Sequence, residues 1–233
     1  MHRILLAVAV LAGLAAPAGA SDRRYAVSDF ERVVVEGPYS VRLVVGRPSS
    51  VVASGSQQAL EGVTIDVQGT TLRIRRNRNA WGGYPGRPPE PVTVMLTTRN
   101  LRSARMVGTG SLDVQGARGL RVDLSVEGSG RLRASALDAD NLSLGIRGSG
   151  TLALQGTAET LTADIQGSGS LDGAGLSAET ATIFAATTGD ISLSARRAAT
   201  VTANGVGGIV IAGNAACTLR GPGASEVRCG RAR

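Results

Sequence analysis

The charged side chains of this chain are arginines and carboxylates, and that restriction limits the chemistry available to it. All 25 of its Lys+Arg residues are arginine, against 18 Asp+Glu residues, for a formal net charge of +7. The only histidine, His2, lies in a stretch with the features of a cleavable leader. A mature chain without histidine or lysine has no Ser-His-Asp or Cys-His nucleophile, no phosphate-loop or Schiff-base lysine and no histidine-ligated zinc. Carboxylate-assisted cleavage of polysaccharides and binding of anions by arginine remain, and we expect no cofactor and no metal.

Arginines are concentrated between positions 73 and 105. Within these 33 residues there are eight arginines and one acid, Glu90, whereas positions 106 to 195 carry ten acids and five arginines. This asymmetry favours an anionic partner, such as lipopolysaccharide, an acidic glycan or the acidic face of an envelope protein. Nucleic acid is a poor candidate, because the aromatic side chains that stack on bases are few. The alternative is a solvated basic strand face with no ligand. The arginines are Arg73, Arg75, Arg76, Arg78, Arg87, Arg99, Arg102 and Arg105.

A loop predicted from Asn77 to Pro91 adds aromatic side chains to this basic stretch. Loops of this length with aromatics beside arginines are typical of sites that bind sugars or protein partners. The loop could instead cap the first coil, with Trp81 filling the end of the core. The candidate binding residues are Arg73, Arg75, Arg76, Arg78, Trp81, Tyr84 and Arg87.

An enzymatic alternative depends on carboxylates that stack on one face, because parallel β-helices include enzymes that cleave acidic polysaccharides with Asp and Arg. Asp113 and Asp172 occupy equivalent outward positions, but Arg133 and Ala153 occupy the coils between them. Asp138 and Asp140 are predicted to lie in a loop. The sequence contains no calcium-binding repeat and no EF-hand loop. A non-catalytic module is therefore preferred to a polysaccharide-cleaving enzyme.

The elements that must position these residues are predicted from a repeated phrase, Gly-(Ser/Thr)-Gly-x-Leu. The second glycines of successive copies are 20, 20, 19, 20 and 18 residues apart. A fixed period near twenty predicts a solenoid, in which each repeat buries its apolar face by stacking on its neighbours. The copies, including two divergent ones, begin at Gly108, Gly128, Gly148, Gly167, Thr187 and Gly205.

Apolar residues alternate with polar ones on both sides of each glycine phrase. Leu132 and Ala134 follow one phrase and point inward, whereas Arg131 and Arg133 point outward. A second alternating run, such as Leu120 to Val126, precedes each phrase. The pattern predicts an all-β, right-handed parallel β-helix with ten coils or fewer of about 20 residues, two strands and one glycine corner per coil. We expect the middle Ser or Thr of the phrase to form a hydroxyl ladder along the corner.

Three Thr-x-Thr segments give a remote third hypothesis. Thr160–Thr162, Thr180–Thr182 and Thr200–Thr202 are predicted to lie on one strand of three consecutive coils, with their threonines outward. Such a flat array resembles the ice-binding face of some β-solenoid antifreeze proteins. Threonine also simply favours exposed strand positions and cross-strand hydroxyl pairs.

Positions 1 to 20 are predicted to be a signal peptide. A basic start is followed by an apolar stretch from Ile4 to Ala16 and an Ala-x-Ala cleavage site at Ala18–Ala20. We expect the mature protein to be soluble and exported, to the periplasm or the cell surface, with no transmembrane segment. In such a compartment Cys217 and Cys229 are predicted to form a structural disulfide; two unpaired thiols are the alternative.

The order of these features resembles a known bacterial family. Residues 29 to 41, the strand pattern Leu72–Ile74, the repeated Gly-Ser-Gly phrases and the tail between Cys217 and Cys229 are similar to the family described as putative auto-transporter adhesin, head GIN domain. The resemblance implies an exported β-solenoid with an adhesive role and no catalytic residues. It covers nearly all of the mature chain. We predict one solenoid domain over positions 21 to 233, with irregular coils over 21 to 105, regular repeats over 106 to 216 and a clasped end over 217 to 233.

Overall fold

The chain folds as a β-solenoid. A computed structural model describes residues 21–78 and 91–230. It is 71% strand and 4% helix, with strands that wind through about 6 turns. The all-β solenoid predicted from the glycine period is therefore confirmed, whereas its right-handedness stays a prediction.

Strands follow one another through almost all of the described chain. The elements are β1 (Ser21–Tyr25), β2 (Arg32–Glu36), β3 (Ser40–Val45), β4 (Ser50–Gly55), α1 (Gln57–Glu61), β5 (Val63–Gln68), β6 (Thr71–Arg76), β7 (Thr93–Thr98), β8 (Ser103–Gly108), β9 (Ser111–Gln115), β10 (Arg118–Gly128), β11 (Arg131–Gly148), β12 (Thr151–Gly167), β13 (Ser170–Thr187), β14 (Ile191–Ala203), β15 (Ile209–Ala212), β16 (Ala216–Arg220), a short 3₁₀ turn (Ala224–Glu226) and β17 (Val227–Cys229).

Parallel pairing between successive coils builds two faces. Face 1 comprises β6, β2, β8, β10, the C-terminal parts of β11 to β14, and β16. Face 2 comprises β7, β3, β9, the N-terminal parts of β11 to β14, β15 and β17. A glycine corner leads from face 1 to face 2. In β11 to β13 a second bend, marked by a shift in register such as that between Ala134 and Leu137, leads back to face 1.

The two glycines of each phrase are required for different reasons. The first, Gly148 for example, has φ +112°, a left-handed conformation that side chains with a Cβ rarely adopt. The second, Gly150, is buried, and a Cβ there would lie 2.4 Å from Cγ1 of Val126 and 2.8 Å from the carbonyl oxygen of Gly130. The predicted hydroxyl ladder is wrong. Backbone bonds hold the corner instead, for example from the Ser149 amide to the Gly128 carbonyl at 2.9 Å.

The core is a stack of small aliphatic side chains between the two faces. The predicted inward residues Leu132 and Ala134 are buried, and the outward Arg131 and Arg133 are exposed. Leu120 was expected to point inward but is 77% exposed; the register of β10 with β11 skips this residue between Gly119 and Arg121, directly after Gly119 adopts φ +135°. Stacked coils of this kind bury a continuous core that no single coil could form alone.

The N-terminal coils do not follow chain order. The β2–β3 coil is inserted between the β6–β7 coil and the β8–β9 coil, because β2 pairs with both β6 and β8 and β3 with both β7 and β9. Beyond β6 and β7 the parallel stack ends in antiparallel strands, with β5 beside β6, β4 beside β7, and β1 beside β4. Helix α1, which the sequence did not predict, buries Leu60, and Ser56 caps its first turn. These elements cover the end of the core.

The C-terminal end is closed covalently. Cys217 on β16 and Cys229 on β17 form a disulfide that joins face 1 to face 2. The predicted pairing is confirmed, and it lies over the last coil as expected. Within residues 21–78 and 91–230, no helix is long and apolar enough to cross a membrane.

Candidate binding surfaces

Two of the predicted binding arginines are neutralised by carboxylates of neighbouring strands. Arg73 and Arg75 project outward from β6 on face 1. Arg73 Nη1 lies 3.4 Å from Oε1 of Glu36 on β2, and Arg75 Nη2 lies 3.6 Å from Oδ2 of Asp66 on β5. All four side chains are partly exposed, so these ion pairs contribute little to stability. They nevertheless reduce the positive charge that an anionic ligand would meet.

Three further arginines of the stretch follow the same pattern. Arg99 pairs with Asp29 at 2.6 Å, Arg102 with Glu31 at 2.8 Å, and Arg105 with Glu127 at 3.4 Å. These acids lie outside the window of positions 73 to 105, so a count along the sequence could not include them.

Arg76 and Arg78 are different. Both are exposed, and neither has a carboxylate within 4 Å among the described residues. They lie at the end of β6 and just beyond it, where the chain enters positions 79–90. The other predicted binding residues, Trp81, Tyr84 and Arg87, fall in that segment and so lie outside the described part of the chain.

Arg76 also affects a buried tyrosine. Tyr39, at the corner between β2 and β3, is only 6% exposed. Burial raises the pKa of the Tyr39 phenol above its ordinary value of 10.0, and the positive charge of Arg76 partly opposes this rise. The phenol therefore stays protonated to higher pH in the folded state than in the unfolded state.

We expect Tyr39→Phe to make the free energy of unfolding fall less steeply as the pH rises into the alkaline range. A raised folded-state pKa contributes stability below pH 10, and this contribution is lost as the pH rises through the folded-state pKa. The chain has no lysine, so few other groups titrate in this range. Urea unfolding of both proteins between pH 8 and pH 11.5 would measure the effect. Equal slopes of the free energy of unfolding against pH in the two proteins above pH 10 would contradict this prediction.

Face 2 carries arginines that the sequence analysis did not select. Arg42, Arg131 and Arg133 are exposed on β3 and β11, with no carboxylate within 4 Å among the described residues. They are scattered along the sequence, and only the coil register brings them together. Alternation in each coil was the available signal, since it already placed Arg131 and Arg133 outward.

The carboxylates are arranged partly as expected. The register places Asp113, Arg133, Ala153 and Asp172 in successive coils, so Asp113 and Asp172 form no pair. Asp138 and Asp140 lie in β11 and not in a loop.

The expectation that no carboxylates stack is wrong at the second bend. Asp140, Glu159 and Glu179 follow one another there in three consecutive coils. Glu179 is neutralised by Arg196 and, at 3.6 Å, by Arg197. Across the described ranges, no cluster of three or more His, Cys, Asp or Glu side chains could hold a metal ion.

The three-row threonine array is also corrected by the register. Thr160–Thr162 lies opposite Thr180–Thr182 as expected. In the next coil, however, Ala198 lies opposite Thr180, and Thr202 lies opposite Phe184, whose side chain is 49% exposed. The flat surface on which the ice-binding hypothesis depended is therefore interrupted after two rows.

A comparison with protein-family profiles agrees with this fold. The sequence profile described as "Putative auto-transporter adhesin, head GIN domain" matches residues 29–215. The chain belongs to this family. Among functionally curated proteins, no sequence matches the chain.

Solved structures with the same fold extend over nearly the whole chain. A putative adhesin from Bacteroides fragilis has a TM-score of 0.75 at 18% identity, covering 91% of this chain and 97% of that one. A putative lipid binding protein from Parabacteroides distasonis has a TM-score of 0.69 at 17% identity, covering 93% and 98%. A putative adhesin from Parabacteroides merdae has a TM-score of 0.63 at 17% identity, with the same coverage. At these identities the likeness concerns the fold.

Proposed function

We propose that this head GIN domain protein is an exported, non-catalytic solenoid module that binds an anionic component of the cell envelope or surface. Membership of an adhesin family and the Cys217–Cys229 disulfide support export and an adhesive role. The leader-like positions 1–20 add support from sequence, although they lie outside the described residues. Periplasm and cell surface are both compatible with this proposal.

The observation that carries the proposal is a contrast among the arginines of β6 and the arginine just beyond its end. Arg73 and Arg75 are paired with carboxylates, whereas Arg76 and Arg78 are exposed and have no carboxylate within 4 Å in the described part of the chain. Unpaired guanidinium groups favour phosphate and carboxylate ligands, which they bind through two parallel hydrogen bonds. These two arginines also immediately precede the segment with Trp81, Tyr84 and Arg87, whose rings and charge would complete the site.

The anionic ligand could be a glycan carboxylate or a lipid phosphate. The Parabacteroides distasonis structure of the same fold is named a lipid binding protein, which makes a phosphorylated lipid such as lipopolysaccharide a reasonable first probe. An acidic polysaccharide without lipid is the second probe, because the two sources share the anionic chemistry.

We expect Arg76→Gln/Arg78→Gln to weaken retention on immobilised lipopolysaccharide by about 30-fold, since each basic residue at an anionic surface contributes about 1 kcal/mol. Arg73→Gln/Arg75→Gln is the matched control, and we expect a loss of only about 3-fold, because its charges are already compensated. Wild-type retention should fall with salt. Trp81→Ala should add a loss that salt does not change.

Equal losses in the two double variants would contradict a site at Arg76 and Arg78. Retention that changes neither with salt nor with the arginine substitutions would mean that the ligand binds to another surface. Binding to the acidic polysaccharide but not to lipopolysaccharide would identify the glycan as the source.

A second candidate, a polysaccharide-cleaving enzyme, is favoured by the stacked Asp140 and Glu159 alone. These neighbouring carboxylates have no ion-pair partner within 4 Å in the described chain. Cleavage of an acidic glycan that is abolished by Asp140→Asn or Glu159→Gln would overturn the non-catalytic proposal. Without such cleavage, Asp140 and Glu159 are interpreted as solvated surface side chains.

A further inference from the structure

The charged side chains of face 2 form no ion pairs with other described residues. The ion pairs of the described residues lie on face 1, in the connections near the N-terminal coils and at the second bend, and none lies on face 2. Arg42, Arg131, Arg133, Asp172 and Asp190 are all exposed on this face. On this face the arginines other than Arg228 lie toward the N-terminal end of the solenoid, and the carboxylates other than Asp113 lie toward its C-terminal end.

The basic part of face 2 lies toward the N-terminal end. Arg42 on β3 and Arg133 on β11 both neighbour Asp113 on β9, and Arg131 lies beside Arg133 on the same strand. Arg42 and Arg133 thus lie on either side of Asp113, and Arg131 lies in the neighbouring row opposite Ser111. The side chains of the three arginines are exposed and stand out from a flat sheet.

The acidic part lies toward the C-terminal end and forms a groove of about 610 Å³. Asp172, Asp190 and Glu226 line it together with the hydroxyls of Ser170 and Ser192. Gly208 lies between Asp190 and Glu226 in the register, so no side chain fills the floor between the two carboxylates. Among the described residues of the lining, Arg228 is the one that is basic. The groove is suited to receive a guanidinium group.

We propose that face 2 binds face 2 of a second copy of this chain in an antiparallel, twofold arrangement. A twofold axis parallel to the strands reverses the solenoid direction, so the basic part of each copy lies over the acidic part of the other. Each contact then occurs twice. Because Arg76 and Arg78 lie on and beyond face 1, this self-association is independent of the proposed ligand site.

The coil register specifies the contacts. With the axis at the N-terminal part of β12, β11 of one copy faces β13 of the other, so Arg133 lies opposite Asp172. Arg131 lies opposite Ser170 and beside Asp190, at the edge of the acidic groove. The outward residues at the axis are Thr151 and Ala153, which are small enough for the two sheets to approach closely. Packed faces of this kind lie about 10 Å apart.

Charge reversal on each part of face 2 tests the arrangement. We expect the wild-type chain to dimerise reversibly in sedimentation equilibrium at low salt and to dissociate in 1 M salt. Arg131→Glu/Arg133→Glu and Asp172→Arg/Asp190→Arg should each raise the dimer dissociation constant at least about 100-fold, because like charges then face each other. Arg118→Glu/Arg121→Glu changes two exposed arginines outside face 2 and should leave the constant unchanged.

Mixing the two face 2 variants gives the decisive result. In the mixed dimer, the new glutamates meet the new arginines at one contact and native charges meet at the other, so a 1:1 dimer should form although each variant alone is monomeric. A wild-type chain that is monomeric at all concentrations and salts overturns the proposal. So does a mixture that stays monomeric, or a control variant that dissociates equally. Unchanged thermal midpoints would show that every variant folds, and unchanged lipopolysaccharide retention would separate the dimer from the ligand site.

Discussion

Gly150→Val should lower the free energy of unfolding by about 3 kcal/mol or more, the upper range for side chains forced into a filled core. Even the Cβ would lie 2.4 Å from Cγ1 of Val126 and 2.8 Å from the carbonyl oxygen of Gly130. Val126 is buried and stiff, and the Gly130 carbonyl accepts a bond from the Thr151 amide at 3.0 Å. Neither contact can be relieved without moving the coil above. Gly130→Val should behave similarly, since its Cβ would lie 2.9 Å from the Gly110 carbonyl oxygen.

Thr151→Val is the matched control for this prediction. It introduces the same branched side chain one residue later, at a half-buried outward position, and changes only a hydroxyl to a methyl. We expect its thermal midpoint to change by less than about 2 °C, against a fall of about 10 °C for Gly150→Val. Similar midpoints for the two variants would mean that the corner is not the tight contact between coils.

The regular coils were predictable because a local sequence pattern specifies each of them. Each glycine phrase fixes a corner, and the alternation after it decides which side chains point inward. Leu132, Leu152 and Leu171 therefore stack in register, as the sequence pattern indicated. Stacking identical units needs no knowledge of distant residues.

The insertion of the β2–β3 coil was not predictable in the same way. Its two neighbours, β6–β7 and β8–β9, come later in the chain and present similar alternating faces. Nothing in the local pattern of Val33 and Val35 distinguishes a neighbour in sequence from a neighbour in space. Partner choice among such strands depends on the connections and on packing across the whole end of the solenoid.

The ion pairs within the candidate site were not predicted, for a related reason. The arginine count over positions 73 to 105 treated charge as a property of the sequence window, whereas Glu36 and Asp66 neutralise Arg73 and Arg75 from adjacent strands. The threonine array failed at one step, where Thr200 lies opposite Thr182 because the coil is 18 residues long. That step was visible in the sequence, since Gly189 and Gly207 are also 18 residues apart.

Removal of the disulfide by Cys217→Ala/Cys229→Ala should destabilise the last coil by about 3 kcal/mol, because the bond closes a loop with a sequence separation of 12. The last coil has a neighbour on one side only, since β16 pairs with β14 and β17 with β15. In a solenoid, stability is transmitted between adjacent coils. The loss should therefore appear as local opening of β16 and β17.

Hydrogen exchange measures this locality directly. Amides of β16 and β17 should exchange at least about 100-fold faster in the double variant, since about 3 kcal/mol corresponds to that factor in an opening equilibrium. Amides of β11 and β12 are the internal control and should exchange as in the wild type, because intact coils separate them from the C-terminal end. Uniform acceleration through all coils would mean that the solenoid unfolds as one unit and that the disulfide stabilises the whole of it. Unchanged exchange in β16 and β17 would mean that backbone pairing alone holds the last coil.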